Sequence, residues 1–377
     1  MNNLLTIPPL SLYIHYPWCL KKCPYCDFNS HEGEVKTGYI NALIEDLDGD
    51  LQYVQNRAIE SIFIGGGTPS LMSTEDANDL IDGLKERLTF SDNFEITMEA
   101  NPGTFEVEKF AEFRNIGINR LSIGVQSFED RQLKFLGRVH SSNEAINAIT
   151  EAQRVGFKNL NIDLMYGLNG QSIDMCIEDL NKAIELNPSH ISFYQLTLEP
   201  NTLFSKFPPR LPSEEVIWEM GEKGANLLNK KGFRQYEVSA YSTTPSIHNL
   251  NYWTFGDYIG IGAGAHGKIT DMNTHQIFRT LKLKSPNEYL LSFKKNKKTS
   301  RKKMVDSLSF EFMLNGLRLI DGFDSGLYES RTGLSIESVR SQIIKAEKLN
   351  LLDTRDNWIK PTKSGYSFLN ELQEIFL

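Results

Sequence analysis

Cysteine is scarce, with four in 377 residues. So few thiols in so long a chain exclude the disulfide-dense class of small secreted domains. Long apolar runs are missing as well. No stretch approaches the roughly 18 apolar residues that a membrane-spanning helix requires. The opening MNNLLTIPPL carries no basic residue and no apolar run of signal-peptide length, and Lys21 is the first cation. A cytoplasmic location with no transmembrane segment is therefore expected. Positive charge is not in excess. Lys and Arg number 40 against 48 Asp and Glu, a net charge of -8, so no nucleic-acid partner is expected. Internal repeats and low-complexity tracts are also absent.

What is present is an ordinary globular composition, 40% hydrophobic and 23% charged, enough for one large core or two domains. From residue 11 to about 240 strand and helix patterns alternate. SLYIH (11–15), SIFI (61–64), FEITMEA (94–100), RLSIGVQ (120–126), LNIDLMYG (160–167) and HISFYQLTL (190–198) read as strands. Between them, segments near 36–56, 73–88, 106–117, 141–156 and 172–186 repeat their apolar residues at helical spacing. A further helix near 213–231 and a strand YEVSAYS (236–242) follow. Strands alternating with helices imply a parallel sheet in an α/β fold. Six such units predict a partial (β/α)6 barrel, and its strand ends carry His15, Gly65–Gly67, Glu99, Gln126 and Asp163. Three parts are expected: the barrel at 1–240, a connecting region at 241–304, and a helical, winged-helix-like module at 305–377. The basic run KKNKKTSRKK (294–303) reads as a solvated linker, and LLDTRDNWIKP (351–361) as a small hairpin.

Three of the four cysteines fall within eight positions, in YIHYPWCLKKCPYCDFNSH (13–31). Cys19, Cys23 and Cys26 with His15 or His31 could form a zinc site, yet structural zinc sites usually join two Cys/His hooks. Three thiolates could instead hold three irons of a four-iron cluster and leave the fourth open to a small molecule. Cys176 is expected at the edge of a buried helix face, as a small hydrophobe.

The cysteine triplet after a strand, followed by IFIGGGTPS at the end of the next, resembles the radical S-adenosylmethionine (SAM) superfamily. That resemblance implies a [4Fe-4S] cluster whose open iron is chelated by SAM. EANPG (99–103), SIGVQSF (122–128), LGRVH (136–140) and NIDLMYGL (161–168) are similar to motifs of the oxygen-independent coproporphyrinogen III oxidase family. Carried over motif by motif, Tyr13 lies beside cluster and SAM, and Gly66, Gly67 and Thr68 contact the methionyl part. Glu99, Gln126, Arg138 and Asp163 line the SAM pocket, and Tyr25 stacks on adenine.

Two departures point to a sister branch of that family, the heme chaperones. Phe28 stands where the oxidase carries a fourth cysteine, and only eighteen residues precede Cys19. HNLNYW (248–253) fits the HNxxYW pattern of that branch and makes His248, Tyr252 and Trp253 the expected heme-binding residues on a loop, with His266 as a second imidazole. The resemblance implies heme binding and transfer to acceptor proteins, membrane-bound respiratory enzymes among the acceptor classes, and leaves a homodimer open. It expects no oxidase turnover. The alternative reading is the oxidase itself, a radical decarboxylation of coproporphyrinogen propionates.

Overall fold

Side chains along the barrel strands alternate between an apolar face and a polar one. In the computed structural model, which describes residues 4–295 and 300–377, β1 (Leu10–Tyr16) buries Leu10, Leu12, Ile14 and Tyr16 on one face. Ser11, Tyr13 and His15 occupy the other. The same period of two runs through β2 (Ile59–Gly66), β3 (Phe90–Ala100), β4 (Arg120–Gln126), β5 (Asn159–Tyr166) and β6 (His190–Gln195). Ile62, Ile64, Ile96, Met98, Leu121, Ile123, Leu160, Ile162 and Ile191 join the helices in one apolar core. Glu95, Thr97, Arg120, Ser122, Asn161, Asp163, His190 and Ser192 fall on the opposite, inner face. Fully covered parallel strands usually read as unbroken apolar runs, so a polar inner face marks an interior built to hold something.

The six strands pair in parallel in chain order. Beyond them the sheet continues at both ends. β7 (Arg234–Glu237) and β8 (Ala240–Ser242) form an antiparallel hairpin beside β6. β9 (Asp257–Ile261) adds to β1 in parallel, and β10 (His266–Asp271), β11 (Gln276–Lys282) and β12 (Ser300–Met304) follow antiparallel. The resulting twelve-stranded order is β12-β11-β10-β9-β1-β2-β3-β4-β5-β6-β8-β7. The partial barrel is therefore as expected, widened by strands from 257–304. The strand expected at 236–242 is two strands, because the chain reverses at 238–239. The expected basic linker is in part β12, whose Lys302 ammonium lies 4.3 Å from the Phe278 ring centroid; residues 296–299 lie outside the described residues.

Helix starts follow the sequence signals. Ser141 and Glu144 form the capping box of Ser142–Arg154, and Ser73, Ser172 and Ser213 cap three others. Gly117 closes Phe110–Ile116 in the left-handed region, at φ 116°. Cys176 departs from its expected place at the edge of its helix face. It is nevertheless the small buried hydrophobe expected, 1% exposed on the buried stripe with Leu180 and Ala183. The C-terminal residues build a second core around Phe312, Phe323, Tyr328, Ile343 and Leu372, to which Phe255 contributes. The expected hairpin is there, Leu352–Arg355 against Trp358–Pro361, with Phe323–Asp324 as a third strand. Among the described residues, no helix is long and apolar enough to cross a membrane.

HNLNYW is not a loop. It lies in the helix Ile247–Trp253, started by Ser246. The cause lies inside the barrel. Glu95, on the inner face of β3, accepts from Ser246 Oγ at 2.9 Å and from the backbone amides of Ile247 and His248 at 3.3 Å. A buried carboxylate at a helix start satisfies amides that would otherwise lack partners.

Candidate functional site

The cysteine loop leaves β1 at Tyr16 and crosses the open end of the barrel. It is held by backbone bonds to the glycine turn, from Gly67 N to Tyr16 O and from Thr68 N to Trp18 O, both 2.7 Å. A side chain on any of the three glycines would collide: a Cβ would sit 2.8 Å from Phe63 at position 65, 2.5 Å from the His15 ring at position 66, and 2.3 Å from Trp18 O at position 67. An ordinary turn needs one glycine, and here each allows a separate close approach. Gly66 N donates to Glu99 Oε2 at 3.0 Å. With the amides of Gly66, Gly67 and Thr68 engaged, and Thr68 O accepting from Leu71 N at 3.0 Å, the glycine carbonyls are the groups this turn offers an ammonium.

Behind this loop lies a cavity of about 600 Å3. Cys19, Cys23, Tyr25 and Cys26 line one wall. Gly66, Gly67, Thr68, Glu99, Gln126, Arg138 and Asp163 line the rest, so the structure brings together every expected cluster and SAM residue except Tyr13. All four cysteines are free thiols, and burial raises the thiol pKa of Cys19 and Cys26 above the ordinary value. Tyr25 packs 6.4 Å from Phe204, and its free face lines the cavity. Arg138 does not offer an open fork. Nη2 donates to Gly124 O at 2.7 Å and to Asn101 Oδ1, and Nη1 lies 3.7 Å from Cys23 Sγ. It places a positive charge beside a thiol. Glu99 is pushed up to about 7 by burial and by the neighbouring Asp163. Gln126 is held in the left-handed region at φ 74°, unusual for a side-chain-bearing residue, and accepts from Tyr194 Oη at 2.7 Å.

Asn101, Ser192 and Tyr194 also line this cavity, Asn161 is hydrogen-bonded to its lining residues, and none of the four is expected from the motifs. Asn161 Nδ2 donates to both Ser122 Oγ and Asp163 Oδ1 at 2.8 Å, while Asn161 Oδ1 accepts from Ser192 Oγ at 3.0 Å. The signal was the polar period of two in NLNID and HISFY.

A second cavity of about 460 Å3 adjoins the first across Phe28, Gly66 and Glu99. Its other walls are Tyr13, His15, Asn29, Tyr252, Trp253, Tyr258, Gly264 and His266. Phe28 is 58% exposed, a rim residue of both cavities. His15 is fully used: Nε2 donates to Asn29 O at 3.0 Å, which leaves Nδ1 to accept from Tyr13 Oη at 2.9 Å. Asn29 Nδ2 donates in turn to Ala263 O and Lys284 O, both 2.9 Å, tying the cysteine loop to the glycine turn before His266. His266 is exposed, and among the described residues neither of its ring nitrogens has a hydrogen-bond partner.

Of the three residues expected from HNLNYW, Tyr252 and Trp253 reach this cavity and His248 does not. His248 is 1% exposed, beneath the cavity floor. Its ring sits 5.1 Å from Phe63 and 4.8 Å from Tyr252, and Nδ1 is hydrogen-bonded to Ser61 Oγ at 2.9 Å. Burial, with the Arg120 charge nearby, lowers it to about 3, so the imidazole is neutral. A helix in place of a loop explains this: residues 248 and 252, four apart, stack on one face.

The pattern of the Radical SAM superfamily matches residues 13–183, and that of the HemN C-terminal domain matches 306–368. The heme chaperone HemW of Escherichia coli (strain K12) is 46% identical, covering 99% of this chain and 100% of its own. HemW of Haemophilus influenzae is 47% identical over 98% of each chain, and HemW of Bacillus subtilis 32% identical over 97% and 99%. This chain belongs to the HemW family. The solved structure of the E. coli coproporphyrinogen III oxidase (HemN), a radical SAM enzyme, superposes with a TM-score of 0.83 at 21% identity, covering 98% of this chain and 90% of that one; it shares the fold.

HemW proteins fall in the radical SAM superfamily, whose cofactors are a [4Fe-4S] cluster and SAM. The residues present fit both groups. Three free thiols line the cavity, and the same lining offers carboxylates and amides suited to hydroxyl and ammonium groups. A cluster gives each thiolate its own iron, and it draws thiols that are neutral when buried into the ionised form.

Proposed function

We propose that this chain is a heme chaperone in the cytoplasm, binding heme in the second cavity and handing it to acceptor proteins. One observation carries this reading. The second cavity joins four aromatic rings, Tyr13, Tyr252, Trp253 and Tyr258, to the imidazole of His266, which has no hydrogen bond among the described residues. Flat aromatic faces suit a porphyrin, and a neutral imidazole is a standard axial ligand for its iron. Partial desolvation of the ring, with the Lys284 and Arg279 charges nearby, lowers the His266 pKa and so favours the neutral, ligating form. His266 therefore takes the ligand role, Tyr252 and Trp253 supply ring contacts, and His248 positions Tyr252 from below. Cys19, Cys23 and Cys26 hold the cluster. Glu99, Gln126, Asp163 and the 66–68 backbone hold SAM, Arg138 balances charge beside Cys23, and Tyr25 faces the adenine. Tyr13 lines the second cavity rather than this one, with its hydroxyl bonded to His15 Nδ1. Bound together, cluster and SAM supply redox and binding chemistry next to the heme cavity, and the shared Glu99 wall keeps the two ligands adjacent.

The test is anaerobic reconstitution followed by heme titration and a coproporphyrinogen turnover assay on the same sample. We expect saturable heme binding with a defined Soret band and no protoporphyrinogen above a cluster-free control. Turnover without heme binding would replace this reading with the oxidase one. Restoring cysteine at position 28 should not create turnover, because the substrate pocket must also fit the transition state.

A further inference from the structure

Four hydrogen bonds, the middle two buried and the outer two part-buried, run from the helix of the second cavity to the carboxylate of the first. Asn249 Nδ2 lies 3.2 Å from Tyr236 Oη, Tyr236 Oη lies 2.8 Å from His190 Nε2, His190 Nδ1 lies 2.6 Å from Asn161 Oδ1, and Asn161 Nδ2 lies 2.8 Å from Asp163 Oδ1. His190 is fully buried and Asn161 and Tyr236 nearly so. Their directions are fixed by elimination. Asp163 and Asn161 Oδ1 only accept, so His190 Nδ1 carries the proton. Burial holds that ring neutral, which leaves Nε2 to accept from the Tyr236 hydroxyl. Tyr236 oxygen then accepts from Asn249. Every donor points toward Asp163. A chain of one polarity is cooperative, since strengthening or weakening its end alters each bond in turn.

The ends matter. Asp163 lines the first cavity. Asn249 is one helical turn from Tyr252 and Trp253, which line the second. We propose that Asn249, Tyr236 and His190 are positioning residues through which SAM in the first cavity weakens heme binding in the second. A SAM hydroxyl that donates to Asp163 withdraws charge from the acceptor end of the chain. Each bond back to Asn249 weakens, and the helix presenting Tyr252 and Trp253 is held less firmly. HNxxYW then has a division of labour: Asn249 senses the first cavity, and Tyr252 and Trp253 act in the second. The inference rests on the heme reading above and adds a direction to it, with SAM favouring release.

The experiment measures heme affinity of the reconstituted protein with and without SAM, and SAM affinity with and without heme. SAM should weaken heme binding about fivefold or more, and linkage requires heme to weaken SAM binding by the same factor. Tyr236→Phe removes one hydroxyl from the chain, so heme should still bind while the SAM effect falls below about twofold. Asn249→Ser, at the half-buried end, should do the same and covers the case in which Tyr236→Phe fails to fold. Tyr328→Phe, which removes a buried phenol from the C-terminal core, should leave the SAM effect intact. A full SAM effect in Tyr236→Phe and Asn249→Ser overturns the inference, as does heme affinity in the wild type that ignores SAM. A wild type that binds no heme overturns the heme reading and this inference together.

Discussion

The cavity behind the cysteine loop takes its lining mostly from the ends of consecutive strands, β2 to β6, while the second cavity joins β1 to residues 252–266, far along the chain. In the first, polar groups hold one another: Asp163, Asn161, Ser122, Ser192, Gln126 and Tyr194 are all hydrogen-bonded in place. In the second the polar groups are few, the walls are aromatic, and among the described residues His266 has no hydrogen-bond partner. A preorganised polar site suits a polar ligand of fixed orientation. An aromatic site with one available ligand atom suits a flat apolar molecule that must also leave. The comparison teaches that one barrel end can present two chemically different cavities across a shared wall of Phe28, Gly66 and Glu99.

The largest effect should break the first cavity and spare the second. Replacing Cys19, Cys23 or Cys26 by Ala should abolish stable cluster binding, read as iron and sulfide content, whereas Cys176→Ala should leave both unchanged. A purified protein holding one zinc and no sulfide would contradict the cluster assignment. Next in size is Gly67→Ala. The new methyl would meet Trp18 O at 2.3 Å, a backbone contact that cannot move aside cheaply. Overpacking of this kind costs about 1–3 kcal/mol, and chemical denaturation should find that loss together with weakened SAM binding.

Inside the second cavity, two histidines should separate cleanly. His266→Ala should shift the Soret band and weaken heme binding strongly. His248→Ala should leave the Soret position alone and lower stability instead, by about 1–3 kcal/mol for a lost buried hydrogen bond and the group it leaves unpaired. Trp253→Ala should weaken heme binding less than His266→Ala, about two- to tenfold, since one aromatic contact contributes about 0.5–1.5 kcal/mol beyond its buried area.

Much of this contrast was legible in the residues, but unevenly. Strand and helix alternation, the cysteine triplet and the glycine turn are local patterns, and they located the first cavity. Asn161 and Ser192 were equally local, yet a polar residue on every second position was overlooked beside the apolar ones. The second cavity was harder for a physical reason. HNLNYW has no helical propensity to announce a helix, and its start depends on Glu95, some 150 residues earlier in the chain. Once the segment is helical, His248 turns under Tyr252, out of the cavity lining, which is why we propose His266 for the ligand role expected of it. The clash that makes position 67 require glycine is likewise a tertiary fact.

The smallest effect concerns the shared wall. Glu99 is raised from its ordinary 4.5 to about 7, so the folded state holds a proton there that the unfolded state has released. Stability from this group is therefore greatest below about pH 4.5, falls as pH rises toward 7, and is level above it. SAM binding should move the other way, strengthening toward pH 7 as the carboxylate ionises to meet an ammonium. Glu99→Gln should flatten both slopes, measured by denaturation and by SAM titration across pH 5–8.

Separate cavities are the central claim, and heme titration of a variant lacking Cys19, Cys23 and Cys26 tests it most directly. The account predicts a cluster-free protein with the Soret band and heme affinity of the wild type. Loss of heme binding together with the cluster would contradict it and place both ligands in one site.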